Sequence, residues 1–138
     1  MSRILLDTNV ISELVRLRPE PKVLAFVGAL TDPLISVLTL HEIAYGANRA
    51  PDPARRAKLL AWTAEIRSQF GGRIVDIDAD VAEQAGRLRA AADAQGTPSE
   101  PIDALIAASA LSRGASVATR NVRDFTPFGL VVIDPWTA

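Results

Sequence analysis

Cysteine is absent from this 138-residue chain, and His41 is its only histidine. Without cysteine the chain has no disulfide, no thiolate zinc site and no cysteine nucleophile. A single histidine also excludes a metal site built from several imidazoles. Any metal that the chain binds must therefore be held mainly by oxygen atoms.

Long hydrophobic runs and a large net charge are also missing. No apolar stretch approaches the length that spans a membrane, and the first residues lack the features of a signal peptide, so we expect a cytoplasmic protein. With 15 basic and 16 acidic residues the net charge is -1, which argues against coating nucleic acid through bulk positive charge. No glycine-rich phosphate loop follows a predicted strand, which excludes the common nucleotide-binding motifs.

Apolar strands alternate with amphipathic helices along the whole chain. Hydrophobic residues make up 49% of the sequence, enough for the core of one domain spanning residues 1–138. We predict strands at residues 4–6, 34–37, 74–77, 115–119 and 130–133. We predict helices near residues 10–14, 21–30, 38–48, 54–70, 81–94 and 102–113, the first capped by Thr8 or Asn9. This alternation predicts an α/β fold, a three-layer α/β/α sandwich with a mainly parallel central sheet.

Four acidic residues fall just after predicted strands or on helical faces that should point inward: Asp7, Glu42, Asp103 and Asp124. Each has an ordinary explanation when taken alone, since Asp7 can cap a helix, Asp103 can sit in a first turn and Asp124 can belong to a turn. Those explanations leave Glu42 unaccounted for, although a carboxylate facing inward needs a partner. Four carboxylates at one sheet edge would repel one another unless a cation held them. Oxygen ligands suit Mg²⁺ or Mn²⁺, which points to phosphodiester hydrolysis.

Four segments resemble, in order and spacing, the PIN domain, and more narrowly the VapC/FitB-type toxins of bacterial toxin–antitoxin pairs. The resemblance covers nearly the whole chain, and it is carried by the set of motifs more than by any one of them. The segments are Leu5-Leu6-Asp7-Thr8-Asn9-Val10-Ile11-Ser12-Glu13-Leu14, Ser36-Val37-Leu38-Thr39-Leu40-His41-Glu42, Asp103-Ala104-Leu105-Ile106-Ala107-Ala108-Ser109-Ala110 and Ala118-Thr119-Arg120-Asn121-Val122-Arg123-Asp124-Phe125.

This resemblance implies a PIN-like fold and a Mg²⁺-dependent ribonuclease in which Mn²⁺ can substitute. It implies that the metal lies among Asp7, Glu42, Asp103 and Asp124. It further implies that Thr8, Asn9, Thr119 and Asn121 support the acids or the bound water. The implied partners are an RNA substrate, a VapB/FitA-like antitoxin, a second copy in a homodimer, and operator DNA in a higher assembly.

Basic side chains near the acids are candidates for binding RNA phosphates: Arg49, Arg55, Arg120 and Arg123, with Arg56 and Lys58 beside them. For those around residues 49–58 a solvated helical face is an equally good explanation. The apolar helices around Phe26 and Trp62 could form dimer and antitoxin surfaces or simply pack into the core. His41 should point about 100° away from Glu42 on a helix, which favours a surface or packing role.

Two other function classes remain open. One is a different α/β phosphohydrolase that uses Asp7 as a covalent nucleophile, although such enzymes usually carry a second aspartate where this chain has Asn9. The other is a non-catalytic module that binds a partner or nucleic acid, which would leave the four acids unexplained. Metal dependence separates both enzymes from the module, and a trapped acyl-phosphate separates the two enzymes.

Overall fold

The computed structural model describes residues 3–138 of the chain. Five short strands alternate with seven α-helices in the described part. The strands are β1 Arg3–Leu6, β2 Ile35–Ser36, β3 Ile74–Val75, β4 Ala115–Ala118 and β5 Val132–Ile133. The helices are α1 Thr8–Glu13, α2 Pro21–Gly28, α3 Val37–Arg49, α4 Pro53–Phe70, α5 Ala79–Ala94, α6 Pro101–Ser112 and α7 Val122–Phe125, with 3-10 turns at Gly71–Arg73 and Thr126–Phe128.

All of the observed strand pairs are parallel. β4 pairs with both β1 and β5, and β2 pairs with β3. A parallel bridge between Leu5 and Leu34 joins these two parts into one sheet with the order β3-β2-β1-β4-β5. β1 is therefore the central strand, and the chain leaves it toward β2 on one side while β4 lies on the other. Such a reversal opens a crevice at the carboxyl ends of the strands.

Neighbouring residues on each strand enter two different hydrophobic cores. Leu5, Leu34 and Val117 pack with α5, α6 and α7 on one face of the sheet. Leu6, Ile35 and Ala118 pack with α1, α2, α3 and α4 on the other face. The two clusters confirm the predicted three-layer α/β/α sandwich, because successive side chains of a strand point to opposite faces.

The predicted end of β3 and the predicted start of β5 were wrong. β3 ends at Val75, before Asp76 and Ile77, and β5 begins at Val132, after Leu130 and Val131. Ile77 and Leu130 pack against the core without belonging to a strand, whereas Val131 is 66% exposed and only its carbonyl oxygen accepts a hydrogen bond, from Val117 of β4. Hydrophobic pattern alone does not reveal these differences. The short helix α7, which contains Asp124, was not predicted at all. Asp78 caps α5 by accepting the backbone N–H of Val81 at 2.9 Å.

Helix α6 is almost completely enclosed. Its residues 104, 106–108 and 110 are at most 1% exposed, and it packs most extensively against α5. Its small side chains allow this close approach, and Gly114, with a φ of 62°, turns the chain sharply toward β4. Within residues 3–138, no helix combines the length and apolar character needed to cross a membrane.

Candidate active site

Asp7 lies at the carboxyl end of the central strand and is 7% exposed. Its backbone N–H donates to the carbonyl oxygen of Ala118 at 2.9 Å, which holds it against the end of β4. Its Oδ1 accepts the backbone N–H of Thr8 at 2.8 Å and so caps α1. The prediction that Thr8 or Asn9 caps this helix was therefore wrong, since Thr8 is already its first residue.

The second carboxylate oxygen of Asp7 is held by Thr119, a residue 112 positions later in the chain. Thr119 Oγ1 donates to Asp7 Oδ2 at 2.8 Å and accepts from Asn9 Nδ2 at 3.2 Å and from the backbone N–H of Asn121 at 3.0 Å. Asn9 Oδ1 in turn accepts the backbone N–H of Arg120 at 3.3 Å. The hydroxyl of Thr119 has its one donor and both acceptor positions in use, so its direction is fixed.

Glu42 receives a hydrogen bond from Thr8. The hydroxyl of Thr8 donates to Glu42 Oε1 at 2.7 Å, and the hydroxyls of Thr8 and Thr39 are 2.9 Å apart. Because the single proton of Thr8 is directed at Glu42, the buried Thr39 must be the donor in the pair. Glu42 is exposed, which differs from the inward position predicted for it, but it lines the same cavity as Asp7.

Asp103 faces Asp7 and Glu42 across a cavity of about 340 Å³. Ser12, Ile102, Ile106 and Asn121 complete its lining together with Thr8 and Asn9. Burial raises the pKa of Asp103 to about 6, with further contributions from the charges of Asp124 and Asp7. Burial also raises the pKa of Asp7, against the opposing hydrogen bonds from Thr119 and Thr8. Both shifts mean that the cavity disfavours negative charge when no cation is present.

Asp124 lies in an adjacent cavity of about 370 Å³, lined also by Arg120, Asn121 and Arg123. Asn121 lines both cavities and marks their junction. Although Asp124 is outside the first cavity, its charge raises the pKa of both Asp7 and Asp103. The fold therefore brings all four predicted acids to one region, three around one cavity and the fourth beside it.

Two of the predicted RNA contacts lie elsewhere. Arg49 donates to the hydroxyl of Tyr45 and lies over its ring, on the exposed side of α3. Arg55 is exposed in the first turn of α4. Neither lines the cavity of Asp7, whereas Arg120 and Arg123 line the adjacent one. His41 is exposed, in line with the predicted surface role.

The donor set fits a hard divalent cation. The cavity of Asp7 offers carboxylate, hydroxyl and amide oxygens and no sulfur or imidazole. Within the described range 3–138, no three acidic or histidine side chains form a closed metal-binding group. Mg²⁺ commonly takes only one or two direct carboxylates and keeps several waters, so an open arrangement of acids suits it.

Thr39 and Ser12 are site residues that the sequence reasoning missed. Thr39 is fully buried and precedes Glu42 by one helical turn, so a polar side chain on the inward face of α3 was the available signal. Ser12 lies on α1 one turn after Thr8, at the same cavity. Neither contains a charge, and an isolated hydroxyl on a helix seldom attracts attention.

Comparisons with known proteins show the family to which this fold belongs. The family model described as PIN domain matches residues 4–126. The chain belongs to the PIN-domain family. The family match confirms the PIN-like fold that the sequence predicted.

Full-length relatives place the chain with the VapC/FitB group of PIN domains. It is 35% identical to the VapC ribonuclease Y4jK of Sinorhizobium fredii, over 96% of this chain and 97% of that one. The crystal structure of FitAcB from Neisseria gonorrhoeae aligns with a TM-score of 0.94 at 33% identity, covering 98% and 99% of the two chains. The structure of DNA-bound VapBC from Salmonella typhimurium aligns with a TM-score of 0.80 at 32% identity, covering 97% and 98%.

Proposed function

We propose that this PIN domain is the toxin of a toxin–antitoxin pair and acts as a Mg²⁺- or Mn²⁺-dependent endoribonuclease. The observation that carries the proposal is the cavity at the carboxyl end of β1, where Asp7, Glu42 and Asp103 meet with Asp124 alongside. The ribonuclease name of a relative 35% identical to the chain supports it. Residues 1–138 would form one PIN domain.

Asp7, Glu42, Asp103 and Asp124 would hold the divalent cation, one or two of them directly and the others through water. When bound, such an ion polarises a phosphoryl oxygen and lowers the pKa of a water molecule. The raised pKa values of Asp7 and Asp103 support this assignment, because a cation would restore the charged form that burial disfavours.

The neutral residues around the acids would position them. Thr119 and the backbone N–H of Thr8 hold the two oxygens of Asp7, and the hydroxyl of Thr8 holds Glu42. Asn9 and Asn121 keep Thr119 in its orientation. The acids would then direct water at the scissile phosphorus in line with the leaving oxygen, which requires correct geometry more than new bonds to the protein.

Arg120 and Arg123 would bind RNA phosphates next to Asp124, through the sequence-independent attraction of guanidinium for phosphate. Arg49 and Arg55 stay candidates for more distant phosphates. The cognate antitoxin would be VapB/FitA-like, and the pair could bind operator DNA, as the VapBC of Salmonella typhimurium is described as DNA-bound. A homodimer and a cytoplasmic location complete the proposal; light scattering should give about twice 14.7 kDa for the antitoxin-free chain.

The decisive experiment is cleavage of a mixed transfer and messenger RNA pool by the antitoxin-free protein, with Mg²⁺, with Mn²⁺ and with EDTA. Wild type should cut only with metal, and Asp7→Asn should cut at least about a hundredfold more slowly, because one charged ligand is lost. Asn keeps the oxygen that caps α1 but loses the acceptor for Thr119, so the Tm of the variant is measured to verify that it folds. Adding the cognate antitoxin should stop wild-type cleavage.

Asp93→Asn is the matched control, because it removes an exposed carboxylate on α5 that lines neither of the cavities around the four acids. It should cut like wild type. Cleavage that persists in EDTA would contradict the metal mechanism. A phosphorylated Asp7 trapped after acid quenching would favour the covalent alternative, and a folded protein that binds RNA without cutting it would favour the binding module.

A further inference from the structure

A third cavity continues the row formed by the two acidic ones. Its volume is about 420 Å³, and its lining includes Glu13, Arg16, Arg18, Glu20, Arg120 and Trp136. Arg120 also lines the cavity of Asp124, and Asn121 joins that one to the cavity of Asp7. Asn121 is thus shared by the first and second cavities, and Arg120 by the second and third. Together the three cavities extend from the carboxylates to the arginines of the third cavity.

One wall of this third cavity is the loop after α1, which is held by a buried acid. Glu13 is 5% exposed, and its Oε2 accepts the backbone N–H of Glu20 at 2.8 Å while Oε1 accepts from Arg16 at 3.2 Å. The backbone N–H of Glu20 is the main cause of the lowered pKa of Glu13. The carboxylate is therefore engaged in shaping the wall, and the loop positions Arg16 and Arg18 at the cavity.

The opposite wall is a stack of Arg120 on Trp136. The guanidinium carbon of Arg120 lies 5.0 Å from the centre of the Trp136 ring. The strand order explains the contact: Thr119 donates its backbone N–H to Ile133 at 2.9 Å, so the chain after β5 runs beside the chain after β4. Asp134 accepts the backbone N–H of Trp136 at 2.9 Å and fixes this turn. Trp136 lies beyond the residues matched by the PIN model.

The cavity lining contains three arginines and two glutamates, an excess of positive charge that favours an anion, and the stack of Arg120 on Trp136 suits a flat group. Within the part of the chain that the structure describes, Arg18 and Arg120 form no salt bridge, whereas Glu20 caps α2 by accepting the N–H of Lys22. Guanidinium planes and aromatic rings bind unpaired bases by stacking, and free guanidinium groups bind phosphate. An acidic peptide would use the arginines but would leave the flat stack without a partner.

We propose that the Arg120–Trp136 stack, with Arg16 and Arg18 beside it, binds an unpaired nucleotide of the RNA that flanks the bond to be cut. The inference rests on the proposed ribonuclease function and adds to it a place where a single-stranded base is held. The substrate strand would pass from the acids across Asn121 and Arg120 to this base-binding site.

The test uses the full chain with Asp7→Asn, to prevent cleavage, and with Trp62→Phe, which leaves Trp136 as the only tryptophan. The probes are a single-stranded oligouridylate of about five nucleotides and an abasic ribose-phosphate oligomer of the same length and charge, both without metal. The oligouridylate should quench Trp136 fluorescence and bind more tightly than the abasic oligomer, which should leave the fluorescence unchanged.

Affinities of the same labelled oligomers, measured by anisotropy, separate stacking from charge. Trp136→Leu should weaken oligouridylate binding about tenfold and leave abasic binding unchanged, whereas Trp136→Phe should lose less because it keeps an aromatic ring. Arg18→Ala should weaken the binding of both oligomers. It should also reduce the slope of log affinity against log salt concentration by about 0.7, because one phosphate contact is lost. The Tm of each variant verifies folding. If Trp136→Leu is unstable, the oligouridylate affinity of Trp136→Phe is compared with that of wild type instead.

Equal binding of the two oligomers, or no quenching at Trp136, would overturn the proposal. Quenching by the cognate antitoxin but not by oligouridylate would assign the cavity to a protein partner and would overturn it as well. The binding experiment uses no metal and no cleavage, so its failure is distinguishable from failure of the ribonuclease proposal, which the wild-type cleavage experiment tests.

Discussion

Asp7 accepts two structural hydrogen bonds at the site that is proposed for catalysis. One oxygen caps α1 and the other accepts from Thr119, so the side chain cannot rotate without losing a hydrogen bond on each side. These bonds lower its pKa, yet burial raises it more. The residue is thus held in one orientation by neutral donors while it still lacks a compensating positive charge, which is the condition in which a carboxylate gains most from a cation.

Asp103 should make stability depend on pH in an unusual direction. Its pKa rises from 3.8 in the unfolded chain to about 6 in the folded one, so the folded state binds the proton more tightly. The stabilisation is complete below about pH 4 and is lost as pH rises through 6. Without divalent ions, Asp103→Asn should match wild type near pH 4 and exceed it at pH 7 by about 1 kcal/mol after allowance for screening, or roughly 3 °C in Tm.

Thermal denaturation across this pH range measures the effect, with Asp93→Asn as the control that should follow wild type. Mg²⁺ at pH 7 should raise the Tm of wild type and raise that of Asp103→Asn less, because a ligand that binds the folded state stabilises it. A wild-type curve parallel to that of Asp103→Asn at every pH would contradict the raised pKa.

Thr39 should act as a positioning residue for Glu42 through Thr8. Thr39→Val keeps the shape of the side chain but removes the hydroxyl that donates to Thr8. Cleavage should fall about tenfold, as is typical when a partner of a metal ligand is lost. Thr39→Ser should restore most of the activity because it keeps the donor. Cleavage rates of the two variants at matched fractions of folded protein measure this; equal loss in both would indicate a packing defect.

At the scale of elements, α6 combines a structural and a functional requirement. Asp103 stands in its first turn at the cavity, and the alanines that follow are fully buried against α5 and the sheet. The small side chains let the helix lie close enough for Asp103 to reach the acids on β1 and α3. The packing of this helix therefore sets the position of one acid relative to the others.

Enlarging a buried residue of α6 should be costly. Ala108 is fully buried, so Ala108→Leu should lower the free energy of unfolding by about 2 kcal/mol, because the added atoms displace packed neighbours. Ala91→Leu places the same side chain on the exposed face of α5 and should change stability by less than about 0.5 kcal/mol. Urea denaturation compares the two. A similar loss in both would mean that α6 is less tightly enclosed than the structure shows.

At the scale of the whole molecule, the two hydrophobic cores lie on opposite faces of the same sheet. Leu5 and Leu6 are adjacent in sequence but belong to opposite cores, as do Val117 and Ala118. Unfolding of one core would therefore also remove these strands from the other core. Phe26 and Trp62 are partly buried in the second core, which accounts for much of their apolar surface, while Leu24 and Leu60 beside them stay 43% and 40% exposed.

This shared sheet predicts one cooperative unfolding transition and hence one domain. Far-UV and near-UV circular dichroism should give the same urea midpoint, because secondary structure and side-chain packing are lost together. The fluorescence of Trp62, which contacts the second core, should follow the same curve in a Trp136→Phe background. Separate midpoints would indicate that the two faces unfold independently and would contradict a single domain spanning the chain.

The sequence by itself determined the order of the five strands and of helices α1 to α6, the parallel sheet with a helical layer on each face, and the four acids that the structure brings to one region. These features follow from local pattern: apolar runs of strand length, helical periodicity, and an acid just after a strand or within the first turns of a helix. The four carboxylates also predicted a divalent cation, and the lack of cysteine with a single histidine excluded thiolate and multi-histidine metal sites. The lengths of β3 and β5 were overestimated because an apolar residue next to a strand need not belong to it.

Only the tertiary structure decided which side chains hold the acids. Thr119 meets Asp7 across 112 residues because β1 and β4 pair in one register, and Thr39 meets Thr8 because α3 docks beside α1. The stacking of Arg120 on Trp136 depends in the same way on β5 lying next to β4. Hydrogen bonds and stacks of this kind depend on distances of a few ångströms between residues far apart in the chain. A linear pattern records that each residue is present, and the packing of strands and helices fixes the distances.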